Sequence, residues 1–197
     1  MPYFNDLHAP DLSDLAPPLA VRLINGLLFQ GKEGPPDPTV SRLLTGYVMV
    51  TDKAIREYTD GRTTLLTYSK SQNELLLMFD GVGRMETCIS SAKRALRLLG
   101  RIGTTRSPLA VDRTLRKLAQ SPEKAITSIR DAIEHIDSVI VDGPTLKPGD
   151  AHLLAIDHAG KHLEIGSEQM TFDALARSLR SLHKTGAKML DALPSRP

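Results

Sequence analysis

The residues best suited to chemistry stand within eight positions: Arg130, Asp131, Glu134, His135 and Asp137. An imidazole titrates near neutrality and can move a proton, and a guanidinium fork matches the oxygens of a phosphate. On a helix advancing about 100° per residue, Glu134 and Asp137 fall beside Arg130, whereas His135 falls about 140° away from it. One reading is a surface ion cluster of Arg130, Glu134 and Asp137, in which each pair contributes a few tenths of a kcal/mol. In the other, His135 points away from the core face of its own helix, with Asp131 one turn upstream. It then meets solvent, another helix or another subunit.

The element that must position these groups spans 121–140. Ser121 is a good N-cap, Pro122 suits the first helical position, and Glu123 sits where the helix dipole favours a negative charge. Ile126, Ile129, Ile133, Ile136 and Ile140 recur at steps of three and four, which gives one narrow aliphatic face. The fold is expected to be organised around this helix.

A chain of 197 residues with 41 % hydrophobic and 24 % charged residues is ordinary for a globular protein. Aromatic residues are only 4 % and Trp is absent, so the core must come from Leu, Ile, Val and Ala, which favours packed helices. The formal charge is +2, but nine Lys or Arg against two acids give residues 84–117 a charge of +7, which leaves −5 elsewhere. Within that segment Arg94, Arg97 and Arg101 share one helix face. They are the candidate contacts for RNA, set against the plainer reading of a solvated helix face.

In chain order, an acidic arm over residues 1–15 leads to a short apolar helix after Pro17 and Pro18. A loop over Gly31–Pro38 follows. A second helix is expected from Thr39 to Tyr58, ended by Asp60-Gly61, with residues 62–70 as a loop or short helical turn. A long helix from Ser71 to Arg101 comes next, kinked or interrupted at Gly81-Val82-Gly83. No strand precedes that Gly pair and Glu86 takes the third Gly position, so it is not a dinucleotide loop. A short helix over Leu109–Ala119 then leads into the central one. Turn signals at Asp142-Gly143-Pro144 and Lys147-Pro148-Gly149 precede a β-hairpin, His152–Asp157 with Lys161–Ile165, and a final helix opened by Thr171-Phe172-Asp173. The expected architecture is mainly α: a bundle of about four main helices (1–143), with a small C-terminal β-hairpin and a final helix (144–197) appended to the same domain.

Other constellations carry less. If Leu154 faces Leu163, His152 and His162 lie on opposite strand faces, which disfavours a shared ion; a turn one residue shorter would bring them together. His158, His8 and His183 read as surface or loop residues, and Cys88 as a small buried hydrophobe. No Ser nucleophile elbow, phosphate-cradling loop or paired-His zinc helix is present. Neither a metal nor a cofactor is expected. A single cysteine, no basic-then-apolar leader and no apolar run of the roughly 20 residues a bilayer needs make the expected location cytoplasmic, without a membrane.

Arg130-Asp131-Ala132-Ile133-Glu134-His135, an Arg and a polar residue followed by a His near the end of a bundle's last helix, resembles the signature of HEPN domains. The string from Ile129 to Asp137, with the hairpin and the Phe-Asp-x-Leu helix after it, resembles uncharacterised bacterial HEPN-like proteins. The order of elements matches over residues 16–140. In catalytic members the resemblance implies metal-independent RNA cleavage at a dimer interface. His135 would then be the general acid or base, Arg130 would stabilise charge on the phosphorus centre, and Asp131 would orient His135. Glu134, directly before His135, departs from this by placing negative charge where a phosphate must approach.

The expected function is thus a candidate endoribonuclease of toxin or phage-defence type, acting as a homodimer on RNA. Its antitoxin or protein partner would be a separate chain, because no nucleotidyltransferase motif is visible. Nothing points to DNA. The alternative is a noncatalytic HEPN-like module for protein interaction or RNA binding.

Overall fold

A computed structural model of the chain describes Phe4 and residues 6–71, 74–105, 113–135 and 153–195. Among the described residues it is 72 % helical, with six helices and a small antiparallel sheet. The mainly α expectation therefore holds. No described helix is long and apolar enough to cross a membrane.

The N-terminal arm is packed down. Phe4, Ala9, Leu12 and Leu15 are buried, Leu15 in a single 3-10 turn over Ser13–Leu15. Tyr58 and Arg62 hold the arm by donating to the carbonyls of Pro10 and Ala9, at 3.0 and 2.8 Å. Helix α1 (Leu19–Phe29) begins directly after Pro17-Pro18. Its first backbone N–H groups have no partners within the helix. Asp52, 33 residues on, accepts from Leu19 at 2.9 Å and from Ala20 at 2.7 Å.

Helix α2 (Pro38–Ser71) corrects the expectation of a stop at Asp60-Gly61: it runs straight through residues 62–70. Gly61 is where α2 meets α3 (Leu75–Thr104) at close range. A Cβ there would lie 3.1 Å from both the Gly81 carbonyl oxygen and the Arg84 Cβ. Leu65 and Tyr68, one and two turns further, are fully buried. Thr63, Thr64 and Thr67 donate their hydroxyls to carbonyls one turn back. Helix α3 is likewise continuous through Gly81 and Gly83, so the Gly pair is not an interruption, and Gly81 serves the close packing against α2.

Two short helices follow, α4 (Arg113–Gln120) and α5 (Glu123–Glu134). Ser121 does not cap α5: Pro122 occupies that position and no side chain bonds the first N–H groups. Ile126 and Ile129 are buried as their spacing requires, and His135 is the C-cap. Ile136, Asp137, Ile140, His152 and the turn signals at 142–149 lie outside the described residues, as does the 143/144 boundary.

The hairpin has a third strand. β1 (Ala155–Ile156), β2 (His162–Ile165) and β3 (Glu168–Thr171) form an antiparallel sheet in that order. Ile156, not Leu154, pairs with Leu163. Gly166, at a φ of 57°, opens the two-residue turn to β3, a conformation that suits glycine. Ile156, Leu163, Ile165 and Met170 make the buried face.

Helix α6 (Phe172–Asp191) starts where expected, with the Thr171 hydroxyl accepting from the Ala174 N–H at 3.0 Å. It contacts α1, α2, α3, α4 and β3, so it holds the position that α5 was expected to hold. One cluster of buried side chains runs from Phe4 to Leu193, and the C-terminal unit is part of the same core as the bundle.

Candidate functional site

Arg130 leaves α5 half-buried, and both arms of its fork are engaged. Nη1 donates to Asp131 Oδ1 at 3.2 Å, and Nη2 donates to the Glu134 carboxylate one turn on. Two carboxylates at one guanidinium leave it little net charge for a phosphate. The ring of His135 is exposed at the end of α5 and makes no hydrogen bond with the described residues; its backbone N–H donates to the Asp131 carbonyl at 3.0 Å. The structure thus brings together Arg130, Asp131 and Glu134. It gives Asp131 a carboxylate contact to Arg130 and none to His135.

The arginines of α3 are in a different state. Arg94, Arg97 and Arg101 are exposed on the side away from Ala95, Leu96, Leu99 and Ile102, which are buried. None of the three has an ion pair among the described residues. Arg22, Arg84, Arg177 and Arg180, like Arg130, each meet a carboxylate. Lys93, between the stripe and the core, is also taken: it donates to Glu123 at 3.2 Å and Thr127 at 2.7 Å and ties α3 to α5. Among the described residues, internal pairing thus leaves these three guanidiniums over, as it does those of exposed Arg42 and Arg113.

One basic side chain, on the other side of α3, makes a contact that the spacing does not show. Arg116 of α4 lays its guanidinium over Gly103, with Nη1 2.5 Å from where a Cβ would stand. Gly103 reads in sequence as a helix stop, yet it lies inside α3 and gives Arg116 its seat. The only sequence signal for this was the excess of basic residues.

The comparisons with known proteins come to one result. The chain matches no family model, no curated protein and no solved structure.

His8 and His158 are exposed as expected, but His183 is not. His183 is buried, 7 % exposed, with Nε2 3.4 Å from the Pro17 carbonyl oxygen, because α6 turns it under the arm. Burial lowers its pKa below the ordinary imidazole value. His162 Nδ1 stands 2.8 Å from Asp157 Oδ2, and Asp157 also accepts from the N–H groups of Lys161 and His162. Burial pushes the Asp157 pKa up, but the bonds from His162 and Lys161 outweigh it and hold the group below the usual carboxylate value. Asp157 thus builds the turn. Among the described residues no three His, Cys, Asp or Glu side chains gather as a metal site. Cys88 is fully buried and its pKa is raised by that burial, so it is inert packing.

A cleft of about 380 Å³ lies between α1 and the end of α6. Its cations are used internally: Arg22 pairs with Asp191 at 2.8 Å, and Lys32 Nζ donates to the Leu193 carbonyl at 2.9 Å. It is a helix-end closure.

Proposed function

We propose that this chain is a noncatalytic RNA-binding helical module whose contact surface is the stripe of Arg94, Arg97 and Arg101. The observation that carries the reading is that these three exposed arginines, on consecutive turns of one helix, lack carboxylate partners among the described residues while six others are paired. A guanidinium without an internal partner, on a segment of charge +7 in a chain of +2, can neutralise phosphates and release their counterions. The HEPN-like relationship belongs to the proposal and rests on Arg130, Asp131 and His135.

RNA cleavage by Arg130 and His135 is the second reading. What favours it is the exposed imidazole of His135 at the end of α5. What weighs against it is that Arg130 would first have to leave Asp131 and Glu134.

The test is RNA binding measured over a range of salt concentrations, for the wild type and for Arg94→Ala/Arg97→Ala/Arg101→Ala. Each phosphate contact contributes about 0.7–0.9 to the slope of log K against log salt, so the variant should lose about two units of slope and most of its affinity. Unchanged binding would sink the proposal.

A further inference from the structure

Helix α1 is more apolar than its surroundings use. Eight of its eleven residues are apolar, yet only Leu19 and Gly26 are buried. A helix that is apolar all round belongs in an interior. Helix α1 instead packs on α2 and α6 and leaves its other side uncovered. Val21, Ile24 and Leu28, at steps of three and four, share that side, and Phe29 borders it. These four are 43, 52, 70 and 79 % exposed. At those exposures they leave on the order of 400 Å² of surface, within the ~300–600 Å² of the largest apolar patch on a monomer, which is often functional. Two copies set face to face would bury about 800 Å² from these side chains and about 1,000 Å² with their polar rim, the lower end of what a specific interface needs.

The chemistry around the patch suits a protein surface better than a lipid one. Helices that lie in a membrane surface carry Lys and Arg beside their apolar face. The one cation of α1, Arg22, is paired with Asp191, and Lys32, the next in the chain, donates to the carbonyls of Asp191 and Leu193. Before Arg22 the sequence holds no Lys or Arg and carries Asp6, Asp11 and Asp14. A second copy of this chain meets no such obstacle. The uncovered side bears no charge, so two copies approach without repulsion. Its one polar side chain within the helix, exposed Asn25, stands between Val21 and Phe29 at steps of four. A carboxamide holds both a donor and an acceptor, so it can pair with its own copy across a two-fold axis, as a lone Asn does in a coiled-coil seam.

We infer that a second copy of this chain covers α1, in a two-fold dimer whose axis passes close to Asn25 and whose apolar contact is Val21, Ile24, Leu28 and Phe29. The test is sedimentation equilibrium of the full chain from low micromolar to several hundred micromolar, for wild type and for Leu28→Glu. That substitution alters an exposed side chain, and circular dichroism checks that helicity is kept. A second measurement uses Asn25→Cys. Cys88 is fully buried and stays out of the reaction, so disulfide cross-linking reports whether position 25 meets its own copy within the roughly 4.4–6.8 Å between Cα atoms that a disulfide spans. Ser90→Cys, exposed on α3, is the control for random collision.

The expected result is a wild-type dimer with a micromolar dissociation constant, weakened about tenfold or more in Leu28→Glu, and cross-linking of Asn25→Cys well ahead of Ser90→Cys. A wild type that stays monomeric throughout overturns the dimer, and if it also floats with anionic lipid vesicles the occupant of the patch is lipid. A dimer that Leu28→Glu leaves unchanged is built on another surface and overturns it equally. Cross-linking of Asn25→Cys no faster than that of Ser90→Cys overturns the placement of the axis.

Discussion

A Cβ on Gly81 would stand 2.6 Å from Cγ of Leu65, and the Gly61 carbonyl oxygen lies 3.3 Å from the same point. Backbone and side chain of α2 therefore occupy the space that any other residue at 81 would need. Gly83, two positions on, has nothing within 4 Å. The pair separates packing from helix propensity. Gly81→Ala forces Leu65 off its position in a filled core and is expected to cost about 1–3 kcal/mol. Gly83→Ala adds a better helix former in open space and should stabilise by about 0.5–1 kcal/mol. Urea unfolding of both variants checks this. Equal effects of the same sign would mean that the two helices are not so close.

The misreading of α2 has the same origin. Glycine at a close helix crossing and glycine at a helix end are the same letter, and Asp60-Gly61 followed by Arg62-Thr63-Thr64 has the texture of an end. What argues against a stop is the spacing of Gly61, Leu65 and Tyr68 along one face, which extends the apolar side of the helix by two turns. β3 was hidden because Met170 is its only buried residue, so it shows no apolar alternation. His183 stands next to Lys184 in sequence, and only the docking of the arm on α6 decides that it is buried. At the site, Glu134 one turn from Arg130 was legible from helical spacing. The contact from Asp131 was not, because sequence neighbours on a helix diverge by about 100° and only the long Arg side chain closes the gap.

Asp52 caps a helix from outside it. Its two oxygens take the N–H groups of Leu19 and Ala20, which would otherwise be orphan donors at the start of α1. Asp52→Ala removes both acceptors and is expected to cost about 1–2 kcal/mol, the range for loss of an N-cap. The loss should appear in thermal unfolding. Asp52→Asn, which keeps one oxygen acceptor, should recover part of it; a variant as stable as wild type would show that water replaces the carboxylate at no cost.

His183 predicts a pH dependence. Its pKa in the folded chain lies below the ordinary 6.5, mainly through burial, with Asp52, Asp14 and Arg22 as the charged groups around it. A lowered folded pKa means that the unfolded chain binds the proton more readily, so stability rises with pH through this window. The contribution is complete above pH 6.5 and declines as pH falls from there towards the folded value. Unfolding midpoints measured from pH 8 downward should therefore drop below about pH 6.5 in wild type and drop less in His183→Gln, which cannot take up a proton. Parallel curves would assign the acid sensitivity to other groups.

Arg130 and Glu134 decide between binding and cleavage. With its fork on Asp131 and Glu134, Arg130 has its charge offset by two carboxylates before any phosphate arrives. The wild-type protein in EDTA is therefore expected to leave total RNA intact, and His135→Ala should behave the same. Glu134→Gln is the sharper arm: it removes a negative charge beside His135 and loosens Arg130, at a stability cost of about 0.3–0.5 kcal/mol for an exposed pair one turn apart. If Glu134→Gln stays inactive, the ion cluster is the structural role of these residues, and the arginines of α3 carry the function. Cleavage that appears in wild type or in Glu134→Gln, and disappears when His135 is also replaced by Ala, would instead place a metal-independent nuclease at the end of α5.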